Sequence, residues 1–163
     1  VKDAFELLSR EEKLYAHYVG VASWAGARII QAQWTPQAPD LYDLLVLVFT
    51  NEEGKCVNFD KLKEDSQSSE EQWKHALSYA AQVFGNLLNY KSFGFTKFVP
   101  RIKINDFKRI IEACPNHEKA KPLWDKLSDY IYTVEPESEM LIGDPNKGHV
   151  SNYYLGRKST EEE

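Results

Sequence analysis

Cysteine is scarce in this chain: only Cys56 and Cys114 occur in 163 residues. Two thiols so far apart build no disulfide framework, which points to a reducing, cytoplasmic setting. Long hydrophobic runs are missing too. The longest, at 44–49, falls far short of the roughly 20 apolar residues of a membrane span, so no membrane partner is expected. No phosphate loop, dinucleotide fingerprint or Gly-x-Ser-x-Gly elbow is present. His17, His75, His117 and His149 are scattered. No two of them stand at the three- or four-residue spacing that turns a pair of zinc ligands to one helix face. The sequence therefore offers no catalytic and no metal-ligating constellation, and Cys114, ahead of Pro115, reads as structural.

What is present is ordinary for a globular domain. Hydrophobic residues make up 42% and charged residues 28%, and a chain of this length fits one domain with a real core. The net charge of −5 favours neither nucleic acid nor an anionic membrane.

Helical patterning dominates. Ser9 and Glu12 have capping-box spacing, in which each side chain satisfies a backbone N–H of the first turn. Behind them Leu14, Tyr18, Ala22, Ala25 and Ile29 form one face of a single helix reaching Gln33. Gly20 and Gly26 weaken it and suit close helix packing, and Thr35-Pro36 ends it. A second helix is predicted from Asp40, apolar nearly all round and hence buried. A turn at 51–54, a short helix at 59–63 and a polar loop at 66–69 follow. Ser69 and Gln72 repeat the capping spacing. Trp73, Leu77, Ala80, Phe84 and Leu87 then mark a third long helix to Tyr90. Two more are predicted at 105–114 and 119–133, and a β-branched and aromatic run at 149–155 reads as a strand. The strand has no obvious partner. Thr160 and Glu163 have capping spacing but no apolar stripe after them. Either the chain is cut there, or the end is an extended surface tail with an acidic terminus.

One stretch departs from the average. From Gln72 through Asn105 there is no Asp or Glu, while Lys74, Lys91, Lys97, Arg101 and Lys103 contribute +5. Within it Tyr90, Phe93, Phe95 and Phe98 interleave with the cations across the 91–103 loop. Two readings stay open. The rings anchor the loop on the core while the lysines stay wet, or the loop offers flat apolar area plus cations to a carboxylate or phosphate. Aromatic–basic mixtures also serve nucleic-acid stacking. An acidic chain with the mixture on a helix and one loop does not fit that use.

The segment Asn89-Tyr90-Lys91-Ser92-Phe93-Gly94-Phe95-Thr96-Lys97-Phe98-Val99-Pro100 closely resembles one in the dipeptidyl peptidase III family of zinc aminopeptidases. The family reads Asp where Phe95 stands here, and the other positions match. Leu7-Leu8-Ser9 through Ala16 resembles the family's first helix. Ser151, Tyr153, Tyr154, Leu155 and Gly156 look like its fungal members. The resemblance implies a mainly α fold, the helical part of the lower lobe of a two-lobed peptidase, with a short β-strand near the C-terminus. It divides the chain into a helical segment, 1–147, and the start of a barrel strand and following helix, 148–163, truncated.

The resemblance further implies an enzyme that releases dipeptides from the N-terminus of short peptides. Zinc belongs to the full-length protein and no cofactor to this chain, which alone is expected to be inactive. Phe93 would contact the peptide, Ser92 and Gly94 would hold its backbone, and Lys91 or Lys97 would face its carboxylate end. Partners are then short peptides and the remainder of the same polypeptide, with self-association of the segment by itself. The rival expectation is a free-standing helical module that binds a protein or peptide through the same loop.

Overall fold

Local signals set several of the helix starts. In the computed structural model, which describes residues 2–91 and 96–133, Ser9 Oγ accepts from the Glu12 N–H at 3.2 Å and the Glu12 carboxylate accepts from the Ser9 N–H at 2.8 Å. Ser69 and Gln72 form the same reciprocal pair. The described residues form eight helices: α1 (Lys2–Glu6), α2 (Arg10–Ala25), α3 (Ala27–Trp34), α4 (Ala38–Phe49), α5 (Phe59–Asp65), α6 (Glu70–Asn86), α7 (Ile104–Ala113) and α8 (His117–Tyr132). The chain is mainly α. Among the described residues extended pairing is limited to two isolated antiparallel bridges, Thr50 with Cys56 and Tyr90 with Lys97. The expected strand at 149–155 and the division between 147 and 148 lie outside the described residues.

The core gathers around α4. Its Leu41, Leu44, Leu45 and Val48 are fully buried, and α4 packs on α8, α3 and α6. From α8, Trp124, Leu127 and Ile131 face inward, and α7 adds Phe107, Ile110 and Ile111. The turn into α8 is stitched to the end of α4. Asn116 Nδ2 donates to Leu47 O at 3.1 Å and to Thr50 O at 2.7 Å, serving carbonyls that a helix C-terminus leaves without intrahelical donors. The expected turn at 51–54 forms with Asn51 Oδ1 accepting from the Glu53 and Lys55 N–H groups. Gly54 there takes a φ of 74°, open to glycine without steric cost.

Several departures from the sequence pattern matter. The single helix expected to Gln33 is two helices, divided at Gly26 (φ −81°, ψ −8°), where glycine gives the least support to helical geometry. Beyond its own helical turn, no described atom lies within 4 Å of where a Gly20 Cβ would stand, so that glycine makes no close packing contact with another element. The Leu14, Tyr18 and Ile29 face is exposed: α2 buries no side chain at all, and Tyr18 and Ile29 are 65% and 62% exposed. In α6 the buried set is Trp73, Ala76, Tyr79, Ala80 and Val83, with Leu77 and Phe84 only partly covered.

Helix α6 also stops at Asn86, short of Tyr90, because Leu87 adopts a left-handed conformation (φ 66°). A non-glycine residue there costs on the order of 1–3 kcal/mol and persists where its surroundings hold it. Buried Gln31 holds it: its Nε2 donates to Leu87 O at 3.1 Å. The reversal turns Leu88, Asn89 and Tyr90 inward, and all three are buried.

The two capping boxes should differ in their effect on stability. Ser69→Ala, at the head of a helix that buries Trp73 and Tyr79, is expected to lower global stability by about 1 kcal/mol. Ser9→Ala should cost less than about half as much in the same experiment, because α2 frays without uncovering the core. Denaturant unfolding followed by tryptophan fluorescence measures both, and equal losses would refute the distinction.

Candidate functional site

The candidate site begins where α6 ends. Leu88 and Tyr90 form a second small core with Ala38, edged by Trp34 and Leu87. The Tyr90 ring lies 5.9 Å from that of Trp34. From this anchor the chain pairs with itself as the base of a hairpin. The Lys91 N–H donates to Thr96 O at 3.0 Å and the Phe98 N–H to Asn89 O at 2.9 Å, on either side of the Tyr90–Lys97 bridge. The Phe98 ring sits 6.1 Å from Tyr79 in an edge-on contact. Tyr90 and Phe98 thus anchor the loop on the core. Ser92, Phe93, Gly94 and Phe95 lie outside the described residues.

The cations of this acid-free stretch divide. Lys91, Arg101, Lys103 and Lys74 are exposed. Lys97 is only 3% exposed. Its Nζ donates to Tyr130 O at 2.6 Å and stands 4.1 Å from the centre of the Tyr130 ring. The two lysines offered as alternatives for the peptide's carboxylate end therefore occupy different environments: Lys91 meets solvent, and Lys97 is turned onto α8. The Tyr130 hydroxyl in turn donates to Asn89 Oδ1 at 3.0 Å and lies 3.4 Å from Thr35 Oγ1.

Asn89 and Gln31 were not signalled by periodicity, because polar groups serving backbone and neighbouring side chains inside a core follow no helical repeat. The best available signal was Asn89 itself, a polar residue between Leu88 and Tyr90 in an otherwise apolar turn.

Beyond the hairpin the chain crosses open surface. Arg101 stands on the rim of two shallow grooves. One, of about 750 Å³, runs along the start of α7 past Ile102, Asn105 and Tyr132. The other, of about 920 Å³, lies on α6 between Trp73, Lys74 and His75. Both are open and carry a mixed lining.

Among the described residues no group of three or more His, Cys, Asp or Glu is placed to hold a metal ion. His17 stacks edge-on against Tyr18. His75 lines the α6 groove, and His117 Nε2 is 3.2 Å from a Glu118 carboxylate oxygen. No described helix is long and apolar enough to cross a membrane.

Comparison with known proteins adds sequence relatives. No protein-family model matches the chain. The chain is 35% identical over 166 residues to "Dipeptidyl peptidase 3" of Rattus norvegicus, covering 99% of this chain and 22% of that protein. It is 34% identical over 166 residues to the Homo sapiens protein of the same name, with the same coverage. The Dictyostelium discoideum protein is 33% identical over 153 residues, covering 94% of this chain and 21% of its own length. The chain spans about a fifth of the length of the curated relatives it matches.

Burial around the site gives a pH dependence with a definite sign. Burial pushes the Cys114 thiol up to about 11. It also raises the Tyr79 phenol well above its ordinary value, with Tyr130 and Tyr132 adding to the rise and the Asn89 carboxamide opposing it. Tyr132 is raised by burial, then by Asp106. All three keep their protons in the fold after the unfolded chain has lost them. Their contribution to stability is therefore whole below the ordinary thiol value of 9.0 and is lost as pH rises through the folded values. The urea midpoint should hold level up to about pH 9.0 and then fall, with Cys114→Ala flattening the first part of the fall. A midpoint that rises with alkali would contradict this.

Proposed function

We propose, for a chain that belongs to the dipeptidyl peptidase 3 family, that these residues form one helical wall of the substrate cleft in an enzyme releasing dipeptides from short peptides. The observation that carries the reading is the extent of the likeness: 33–35% identity along 94–99% of the chain, including the 89–100 segment. On this reading the chain is the helical part of the lower lobe. Phe93 contacts the peptide with its backbone held by Ser92 and Gly94, and exposed Lys91 faces the carboxylate end. Lys97, committed to Tyr130, supports the loop from behind. What such a wall supplies is position, holding one peptide bond where the reaction occurs.

Zinc enters the reading only through the family. When bound, zinc polarises a carbonyl and activates water. The described residues do not fit it, since they bring together no set of ligands, and no step of the reaction is assigned to them. We place the metal outside these 163 residues, which alone would be inactive, and the setting in the cytoplasm.

The reading also gives α2 a partner. The stretch 14–27 carries no Asp, Glu, Lys or Arg. Its Tyr15, Tyr18, Val21 and Trp24 are all more than half exposed. A helix with apolar residues around most of its circumference belongs inside a larger assembly, and we assign its cover to further chain of the same polypeptide. The rival, a free-standing peptide-binding module, is separated by the coding sequence. Continuation past Glu163 into a His-Glu zinc motif supports the enzyme, and a stop codon there supports the module.

The kinetic test uses the protein expressed from its complete coding sequence. Phe93→Ala should raise KM about tenfold, the effect of losing one aromatic contact of roughly 1–2 kcal/mol, with kcat within about twofold. Lys91→Gln should act in the same direction and less strongly. Unchanged KM in Phe93→Ala would sink the assignment.

A further inference from the structure

We propose that Tyr130 of α8 is a positioning residue for the paired segments 89–91 and 96–98, gripping both at once and so fixing the base of the stretch that the peptide-binding reading assigns to substrate. The functional half of this inference rests on the peptide-binding reading above; its mechanical half rests on geometry.

The need for such a grip follows from the hairpin's size. Among the described residues its pairing is one bridge flanked by two backbone hydrogen bonds. A two-stranded hairpin is marginally stable in water without something to pack on. Helix α8 contacts both strands through Tyr130.

Tyr130 holds the strands by different chemistries. On the outgoing strand, Asn89 is fully buried, and its Oδ1 accepts the Tyr130 hydroxyl at 3.0 Å. On the returning strand, the Lys97 ammonium donates to the Tyr130 carbonyl at 2.6 Å and stands over the same ring, 4.1 Å from its centre. An ammonium taken from water at 97% burial needs compensation, and a carbonyl dipole together with an aromatic face supplies part of it. Thr35 Oγ1, 3.4 Å from the Tyr130 hydroxyl, ties the end of α3 to the same point.

The grip has a rigid base. Leu127 and Ile131, on either side of Tyr130 in α8, are fully buried against the core, so the ring and carbonyl of Tyr130 are placed by helix packing. Asn89 also contributes the carbonyl that accepts the Phe98 N–H. The side-chain contact to Tyr130 and the strand pairing are therefore coupled through one residue.

The test separates a grip from general stabilisation. In the protein expressed from its complete coding sequence, amide hydrogen exchange is followed at Lys91 and Phe98, whose N–H groups close the hairpin, and at Ile110 and Ile111 in α7. Lys97→Met and Tyr130→Leu should each speed exchange at the hairpin amides about tenfold or more while the α7 amides change less than about twofold. Tyr130→Phe, which keeps the ring and the carbonyl, should fall between parent and Tyr130→Leu. Equal acceleration at both places, or none at the hairpin, overturns the proposal.

The functional half is read from KM. Tyr130→Leu should raise KM, and Phe93→Ala should add little in that background, because residues acting as one unit are not additive. If Phe93→Ala raises KM and Tyr130→Leu does not, the positioning role is wrong and the peptide-binding reading stands. If neither raises it, that reading falls with the functional half of this one.

Discussion

Helix α4 against α8 is the contact from which the remaining placements follow. The fully buried Leu41, Leu44, Leu45 and Val48 of one helix meet Leu127 and Ile131 of the other, and Asn116 binds the start of α8 to the end of α4. Burying a leucine-sized side chain contributes on the order of 1.5–3 kcal/mol, so this seam outweighs any surface ion pair in the molecule. Lys126 with Asp40 and Arg28 with Asp43 are half-exposed pairs of the kind worth about 0–1 kcal/mol each. With α8 held by its apolar face, Tyr130 arrives at the hairpin with little freedom left.

The same packing explains why a polar network survives inside an apolar protein. Gln31, Asn89 and Lys97 are all buried, and each meets a backbone or side-chain partner of fixed position: Leu87 O, the Tyr130 hydroxyl and Tyr130 O. Buried polar groups with partners specify one arrangement of the chain more sharply than apolar contacts alone. Here they surround the left-handed Leu87 and the hairpin base, the least regular part of the described chain.

Much of the helical framework was legible in the sequence because its signals are local. Ser9 with Glu12, Ser69 with Gln72, the Thr35-Pro36 stop and the Asn51 turn each act within a few residues, and each appears where it was expected. Burial was less legible. The Leu14–Tyr18–Ile29 stripe has the period of a core-facing helix, yet period says nothing about what stands opposite it. Lys97 shows the same limit in the other direction, since a lysine in a basic loop looks solvated until α8, more than thirty residues away, supplies an acceptor. The resemblance carried by residues 89–100 singled out the candidate region, but no local rule could have named Asn89 or Tyr130 as the partners that hold its base.

The uncharged length of α2 beyond its first turn has a consequence for how this protein meets its surroundings. With no Asp, Glu, Lys or Arg from Leu14 through Ala27, a partner covering that stretch would do so without ion pairs to acidic or basic side chains there. Ionic strength that dissolves charged contacts leaves such an interface intact, and excluded salts such as sulfate tighten it. Covered as proposed, the helix would act as a seam closed by water's rejection of it.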